Sequence, residues 1–380
     1  MNVPFIDLKT QYLKIKDEVK KELDEVIDNT AFVLGQKVKN FEQNFATFCN
    51  KKYAVALNSG TSSLHLALIA KGVKQGDEVI TVPNTFIATA EAISYTGAKP
   101  IFVDIDPKTY NINPNKIKKR ITEKTKVILP VHLYGQSADI SPIIEIAEKH
   151  NLEIIEDCCQ AHGAEYKGKK IGSLGDLACF SFYSNKIITT GEGGIVVTNN
   201  EKFAEKARLL RNHAFTKPRF LHHELGFNYR MTNIQAAIGL AQTENADKLL
   251  NARIKNANIY NKLLKDVPGI ILPPKKDWAK NVYWMYGIII KDDFGINATT
   301  LREELKKAEI DTRSFFIGMH NQPMFQNTKR HNNPDISGDF ANSEYLEKRG
   351  LYLPSSSSLT ESQINQVVNA IISIQENFNE

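Results

Sequence analysis

Polar side chains of chemically useful types stand directly after short apolar runs in this sequence. YAVAL at 53–57 is followed by Asn58, Ser59, Gly60, Thr61 and Ser62, and EVITV at 78–82 by Pro83, Asn84, Thr85 and Phe86. KVILPV at 126–131 leads to His132, LEIIE at 152–156 to Asp157 and Gln160, and CFSFY at 179–183 to Lys186. The turn around Gly60 opens a helical stretch, where unpaired backbone N–H groups and hydroxyls can hold a phosphate. Read alone it is also an ordinary Ser or Thr N-cap. It is neither a Walker loop nor a dinucleotide fingerprint, because the GxxxxGK and GxGxxG spacings are absent.

Asp157 ends an apolar run, where a carboxylate is costly unless it is paired or hydrogen-bonded. A cation facing it, a helix N-cap or a structural ion pair would each satisfy it. Lys186 precedes GEGG, a turn with backbone freedom, and a lysine there can also snorkel to the surface. The combination is more specific than its parts. A phosphate cradle, an aromatic ring, a strand-end aspartate and a lysine at one sheet edge are what holding pyridoxal 5'-phosphate requires. The phosphate takes the helix start, the ring lies on Phe86, Asp157 faces the pyridine nitrogen and Lys186 bonds the aldehyde carbon.

These residues share an edge only if the runs are strands of one sheet. SSLHLALIA, TFIATAEAIS and Ser141 to His150 separate them with helical patterning, and strands alternating with helices imply a mostly parallel sheet covered on both faces. Ligands then bind beyond the carboxyl ends of the strands. CFSFY and GIVVT at 194–198 extend the same sheet. Apolar residues at Tyr12, Ile15, Val19, Leu23, Val26 and Ile27 predict an amphipathic helix before it. The stretch after Met231 predicts one long helix or two in series. YWMYGIIIK, a helix from Ala298 to Ala308 and a last helix capped by Thr360 and Gln363 then make a smaller α+β unit. The expected division is a large domain at 1–245 and a small one at 246–380.

With 380 residues, 42% of them hydrophobic, the chain can bury a sizeable core, and a net charge of +5 gives no argument for nucleic-acid binding. The start MNVPFIDLKTQYLKIKDE lacks a secretory apolar region and no long apolar run suggests a membrane span, so a cytoplasmic protein is expected. Cys49, Cys158, Cys159 and Cys179 lack redox or zinc spacing and read as buried thiols, and no metal site is expected. His222, His223 and Glu224 read as surface or interface residues, and KIKKRITEKTK as a solvated helix face.

NSGTSSLHLAL, PNTFIATAEAI, IIEDCCQAHGAEYKGKKIGSLGD, FSFYSNKIITTGEGGIVVTN and GFNYRMTNIQAAIGLAQ, in that order, resemble the sugar aminotransferases of the DegT/DnrJ/EryC1/StrS family. The resemblance spans nearly the whole chain. It implies an α/β, fold-type-I (aspartate aminotransferase-like) enzyme with a mixed, mostly parallel seven-stranded sheet, a smaller α+β C-terminal domain, and active sites shared across a homodimer. It implies Lys186 as the cofactor-bonding lysine, Asp157 at the pyridine nitrogen, Gln160 at the ring hydroxyl and Phe86 against the ring. Gly60, Thr61 and Ser181 would hold the phosphate, and Asn228 would reach it from the neighbouring subunit. Arg313 and His320 fall in a stretch that resembles a sugar-nucleotide contact region. The implied substrates are a nucleotide-linked keto-6-deoxyhexose and L-glutamate. Ser184, Asn185 and the EDCCQ stretch depart from many relatives without removing a cofactor-binding group. Dehydratase members carry His where this chain keeps Lys186, which favours transamination; elimination chemistry on the same cofactor and a non-catalytic regulatory or sugar-nucleotide-binding protein are the competing readings.

Overall fold

The structure, a computed structural model, describes residues 2–326 and 332–379. Five strands come first: β1 (Tyr53–Leu57), β2 (Glu78–Thr81), β3 (Lys99–Phe102), β4 (Thr125–Ile128) and β5 (Glu153–Asp157). A small hairpin follows, β6 (Glu165–Tyr166) and β7 (Lys169–Lys170), then β8 (Leu177–Ser181) and β9 (Gly194–Thr198). The main sheet has seven strands in the order β1-β9-β8-β5-β4-β2-β3. β9 runs antiparallel to both its neighbours, while the other adjacent strands pair in parallel. Every residue of β8 and β9 is buried, as expected of strands covered on both faces. The connection between them leaves the sheet edge as the segment that carries Lys186.

The later part of the chain holds β10 (Ile270–Ile271), β11 (Ala279–Lys280), β12 (Tyr286–Ile290), β13 (Arg313–Ser314) and β14 (Gly350–Leu353). A four-stranded antiparallel sheet runs β10-β12-β14-β13. β11 instead pairs with β6, which ties this part to the first. The stretch after Met231 forms two helices in series, Asn233–Glu244 and Ala246–Leu264, joined at Asn245. The second helix gives Ala246, Leu249 and Leu250 to the core of the large sheet, and Ala257, Tyr260 and Leu264 to a separate core around the small sheet. Val3 also belongs to the second core and bridges to Ile310, so the chain start crosses a division drawn at residue 245.

Two expectations need correction, while the cysteines and the stretch from His222 to Glu224 match theirs. The first amphipathic stretch is two helices, Leu8–Leu13 and Lys16–Asp28. Ile15, Val19 and Val26 are buried, but Tyr12 and Ile27 are exposed, so the buried stripe is narrower than the apolar one. KIKKRITEKTK is no continuous helix face: a helix at Pro114–Ile117 and a 3₁₀ turn at Lys118–Arg120 lead into β4, with Ile117 buried and Arg120 paired to Asp335 at 3.0 Å. The serines at 355–358 form a fixed turn, in which Ser355 Oγ accepts from Tyr286 N at 2.8 Å and Ser355 N donates to the Phe5 carbonyl at 3.0 Å. All four cysteines are free and buried. His222 and His223 are exposed and Glu224 pairs with Lys206. Among the described residues no helix is long and apolar enough to cross a membrane.

Glu156, in the middle of the sheet, is fully buried. Its carboxylate accepts from the backbone N–H groups of Gly172 at 3.0 Å, Leu174 at 3.2 Å and Gly175 at 2.7 Å, and faces His132 Nε2 at 3.0 Å. His132 Nδ1 accepts from Ala138 N at 3.0 Å, which leaves the ring proton on Nε2 to be donated to Glu156. Cys158 completes a trio whose ligand atoms lie within 4.8 Å of one another, but the His–Glu pair is already committed to these hydrogen bonds. Burial alone would raise the Glu156 pKa; the His132 interaction and the Gly175 and Gly172 N–H groups outweigh it and hold the carboxyl below 4.5. A carboxyl lowered on folding stabilises the fold above its unfolded pKa and loses that contribution as pH falls through the folded one. We expect Glu156→Ala to cost about 3–5 kcal/mol at neutral pH, read from the urea midpoint. The gap between wild type and Glu156→Gln should narrow on acidification below about pH 4.5; an unchanged midpoint for the alanine variant at pH 7 would exclude this clamp.

Candidate active site

The helix Gly60–Ala70 starts at the end of β1, capped by Ser59, whose side chain accepts from Ser62 N while the Ser62 side chain accepts from Ser59 N. Gly60 allows the helix start to meet β8: a Cβ there would stand 2.6 Å from Ser181 Cβ. The N–H groups of Gly60 and Thr61 lie in the first turn, where no intrahelical acceptor exists. They border a cavity of about 400 Å³ that is also lined by Phe86, Asp157, Gln160, Ser181 and Lys186.

Asp157 is 3% exposed. Its Oδ2 accepts from Thr89 Oγ1 at 2.9 Å and its Oδ1 from Cys159 N at 3.1 Å. Gln160 Oε1 accepts from Tyr134 N at 3.3 Å, and its Nε2 donates to Thr85 Oγ1 at 3.3 Å. Lys186 is buried, with Nζ 3.8 Å from the centre of the Trp284 ring. Burial lowers its pKa to about 8, against the opposing influence of Cys159 and Asp157. Near neutrality the protonated form still predominates, but a far larger share of the amine is neutral and nucleophilic than in an ordinary lysine. Phe86 is 55% exposed although it belongs to the cavity wall, and Asn185 Oδ1 is buried there without a protein partner.

A helix start, an open aromatic face, a hydrogen-bonded carboxylate and a desolvated amine around one cavity fit pyridoxal phosphate. The model of the DegT/DnrJ/EryC1/StrS aminotransferase family matches residues 13–372. The chain belongs to this family. Its members depend on pyridoxal 5'-phosphate, and the chain is an aminotransferase of that kind. GDP-perosamine synthase of Caulobacter vibrioides is 43% identical over 89% of this chain and 90% of its own. The pleiotropic regulatory protein of Geobacillus stearothermophilus is 39% identical over 100% of both chains. S. venezuelae DesV, solved in complex with a ketimine intermediate, matches with a TM-score of 0.93 at 34% identity, covering 99% of each chain.

Other expected residues lie elsewhere in the family member described here. Asn228 is exposed and lines no part of the cavity in its own chain; its carbonyl accepts from Asn58 Nδ2 at 3.3 Å. Arg313 is exposed on an adjoining groove of about 470 Å³, which shares Tyr183, Asn185, Trp284 and Phe316 with the cavity. His320 does not reach the cavity: its ring packs against Phe340 at 4.7 Å and faces Glu344 at 3.5 Å, and burial lowers its pKa. Thr89 and Trp284 line the cavity in contact with Asp157 and Lys186, and sequence reasoning missed them. Thr89 lies one helical turn after Phe86, a signal that was present; Trp284 comes from the far end of the sequence and carries none.

The lowered lysine pKa gives a pH test on the cofactor-free protein. Between about pH 8 and 10.5 the unfolded chain binds a proton at Lys186 that the folded one does not, so this residue makes stability rise with pH across that window. Relative to Lys186→Met, wild type should gain about 3 kcal/mol of unfolding free energy from pH 8 to 10.5. Parallel stability curves for the two proteins would contradict the assigned burial.

Proposed function

We propose that this chain transfers the amino group of L-glutamate to a nucleotide-linked keto-6-deoxyhexose, the substrate being GDP-4-keto-6-deoxymannose and the product GDP-perosamine. The observation that carries the proposal is a desolvated Lys186 beside a hydrogen-bonded Asp157 in one cavity, on a chain similar throughout to a GDP-perosamine synthase. When bound, pyridoxal phosphate supplies an aldehyde that exchanges amines and a ring that stores an electron pair. The chain supplies the rest. Gly60, Thr61 and Ser181 hold the phosphate, Phe86 covers the ring face, Gln160 meets the ring hydroxyl, and Asp157 keeps the pyridine nitrogen protonated. Lys186 Nζ takes the proton from Cα of glutamate, and in the second half-reaction delivers one to the sugar carbon that has gained nitrogen.

In this reading the large domain is 1–245 and the small one 246–380, the enzyme works in the cytoplasm, and two copies share their sites, with Asn228 reaching the partner's phosphate. Exposed apolar side chains at Phe32, Val33 and Leu34, and at Phe220 and Leu225, support the pairing. Arg313 borders the groove through which the nucleotide extends from the cavity. A non-catalytic regulatory role draws support from the Geobacillus relative's name and predicts no covalent cofactor.

Incubation with L-glutamate and GDP-4-keto-6-deoxymannose should release 2-oxoglutarate together with the amino sugar nucleotide, faster than with dTDP- or UDP-linked keto sugars. Borohydride should fix the cofactor on Lys186, and Lys186→Ala should lose at least about 10³-fold in turnover while keeping its circular dichroism. Absence of a borohydride adduct would favour the regulatory reading, and preference for another nucleotide would replace the substrate.

A further inference from the structure

We propose that Trp284 is the positioning residue for Lys186, its indole face seating the ε-amine at the point from which it moves protons. The proposal rests on the assignment of Lys186 as the cofactor-bonding lysine. Trp284 comes from outside the large sheet, two residues before β12, and is 4% exposed. It lies at the junction of the cavity and the adjoining groove.

The ring is not free to turn away. Its Nε1 donates to the carbonyl of Asn185, the residue before the lysine, at 2.9 Å. Its own carbonyl accepts from Arg253 Nη1 at 3.1 Å. Arg253 is 2% exposed, and its Nε donates to Ser357 Oγ at 3.0 Å. Burial lowers its pKa to about 9. A buried guanidinium bonded to neutral groups is a costly way to hold a carbonyl, which indicates that the position of this backbone matters. From the other side Gly135, at φ +107°, passes so close that a Cβ would stand 2.5 Å from Tyr283 N and 2.8 Å from Trp284 N.

An ammonium over an indole face is attracted by the ring quadrupole, more strongly when desolvated. The contact favours protonated lysine, whereas burial favours the neutral amine. Other groups face the same nitrogen: Asp157 and Cys159 also favour the charged form, the buried His162 imidazole is itself held neutral by burial and by Lys186, and Glu192 and Tyr183 line the cavity. Trp284 is the one among them that touches Nζ with a face rather than a titrating atom. It therefore sets where the amine rests and helps to keep its two protonation states close in free energy.

The test uses the cofactor-free full-length protein. The rate of reductive methylation at Lys186, followed by mass spectrometry against pH, should report a midpoint near pH 8 in wild type. Trp284→Leu should lower it by about one pH unit, with Trp284→Phe in between. An unchanged midpoint in a folded Trp284→Leu protein overturns the proposal. Should that variant fail to fold, Trp278→Phe leaves Trp284 as the sole indole, since the chain has two tryptophans. Its fluorescence should then show a step at the Lys186 midpoint that disappears in Trp278→Phe/Lys186→Met; no step also overturns the proposal. Borohydride labelling of wild type loaded with pyridoxal phosphate separates the two levels. Label on Lys186 with an unmoved midpoint sinks only the role of Trp284, whereas no label on Lys186 sinks the assignment beneath it.

Discussion

Two consecutive carboxylates end β5 with almost no exposure, and the site depends on how each is satisfied. Side chains alternate across a strand, so Glu156 and Asp157 point to opposite faces of the sheet. Either one left unsatisfied would cost several kcal/mol. Glu156 is met by three backbone N–H groups and His132, which fasten the 172–175 turn and the 132–138 segment to the sheet. Asp157 is met by Thr89 and by Cys159 N, which fix the start of the helix Ala88–Tyr95 and the residues after β5. One carboxylate thus locks the back of the strand end, and its neighbour is presented rigidly at the front.

That rigidity lets two groups of opposite charge preference occupy one cavity. Lys186 and Asp157 could simply neutralise each other in a salt bridge. Among the described residues, the direct contacts of Asp157 are instead hydrogen-bond donors, and the direct contact of the Lys186 amine is an aromatic face. The amine loses proton affinity through desolvation while the carboxylate stays bound to its own donors, so the two groups face one cavity without being tied to each other. A ligand ring placed between them would meet both.

The strands were legible because buried parallel strands are short unbroken apolar runs, and the rule that ligands sit beyond their carboxyl ends pointed to Gly60, Phe86, Asp157 and Lys186. Strand ends were less legible: KVILPV reads through Val131, yet β4 ends at Ile128, because pairing rather than hydrophobicity stops a strand. Long-range relations were not legible. Nothing local in YWMYGIIIK says that Trp284 reaches the residue before Lys186, or that Arg253 holds it there. His320 shows the converse, a residue of suitable type whose ring the tertiary packing turns toward Phe340 and Glu344.

Exposed aromatic surface divides by shape. Phe86 lies inside a concave cavity beside a helix start, where a planar anionic ligand gains both stacking and N–H donors. Phe32 to Leu34, Phe220 and Leu225 are exposed outside that cavity, Leu225 at 91%. They offer apolar area without donors, which suits another protein surface better than a phosphate-bearing ligand. Asn228 is close in sequence to Leu225 and outside its own cavity, so a copy pairing through this surface would carry an amide to the interface. The modest overall charge agrees with this division. On the proposed reading, the N–H groups and hydroxyls at one helix start would hold the anion, which needs no basic field over the whole surface.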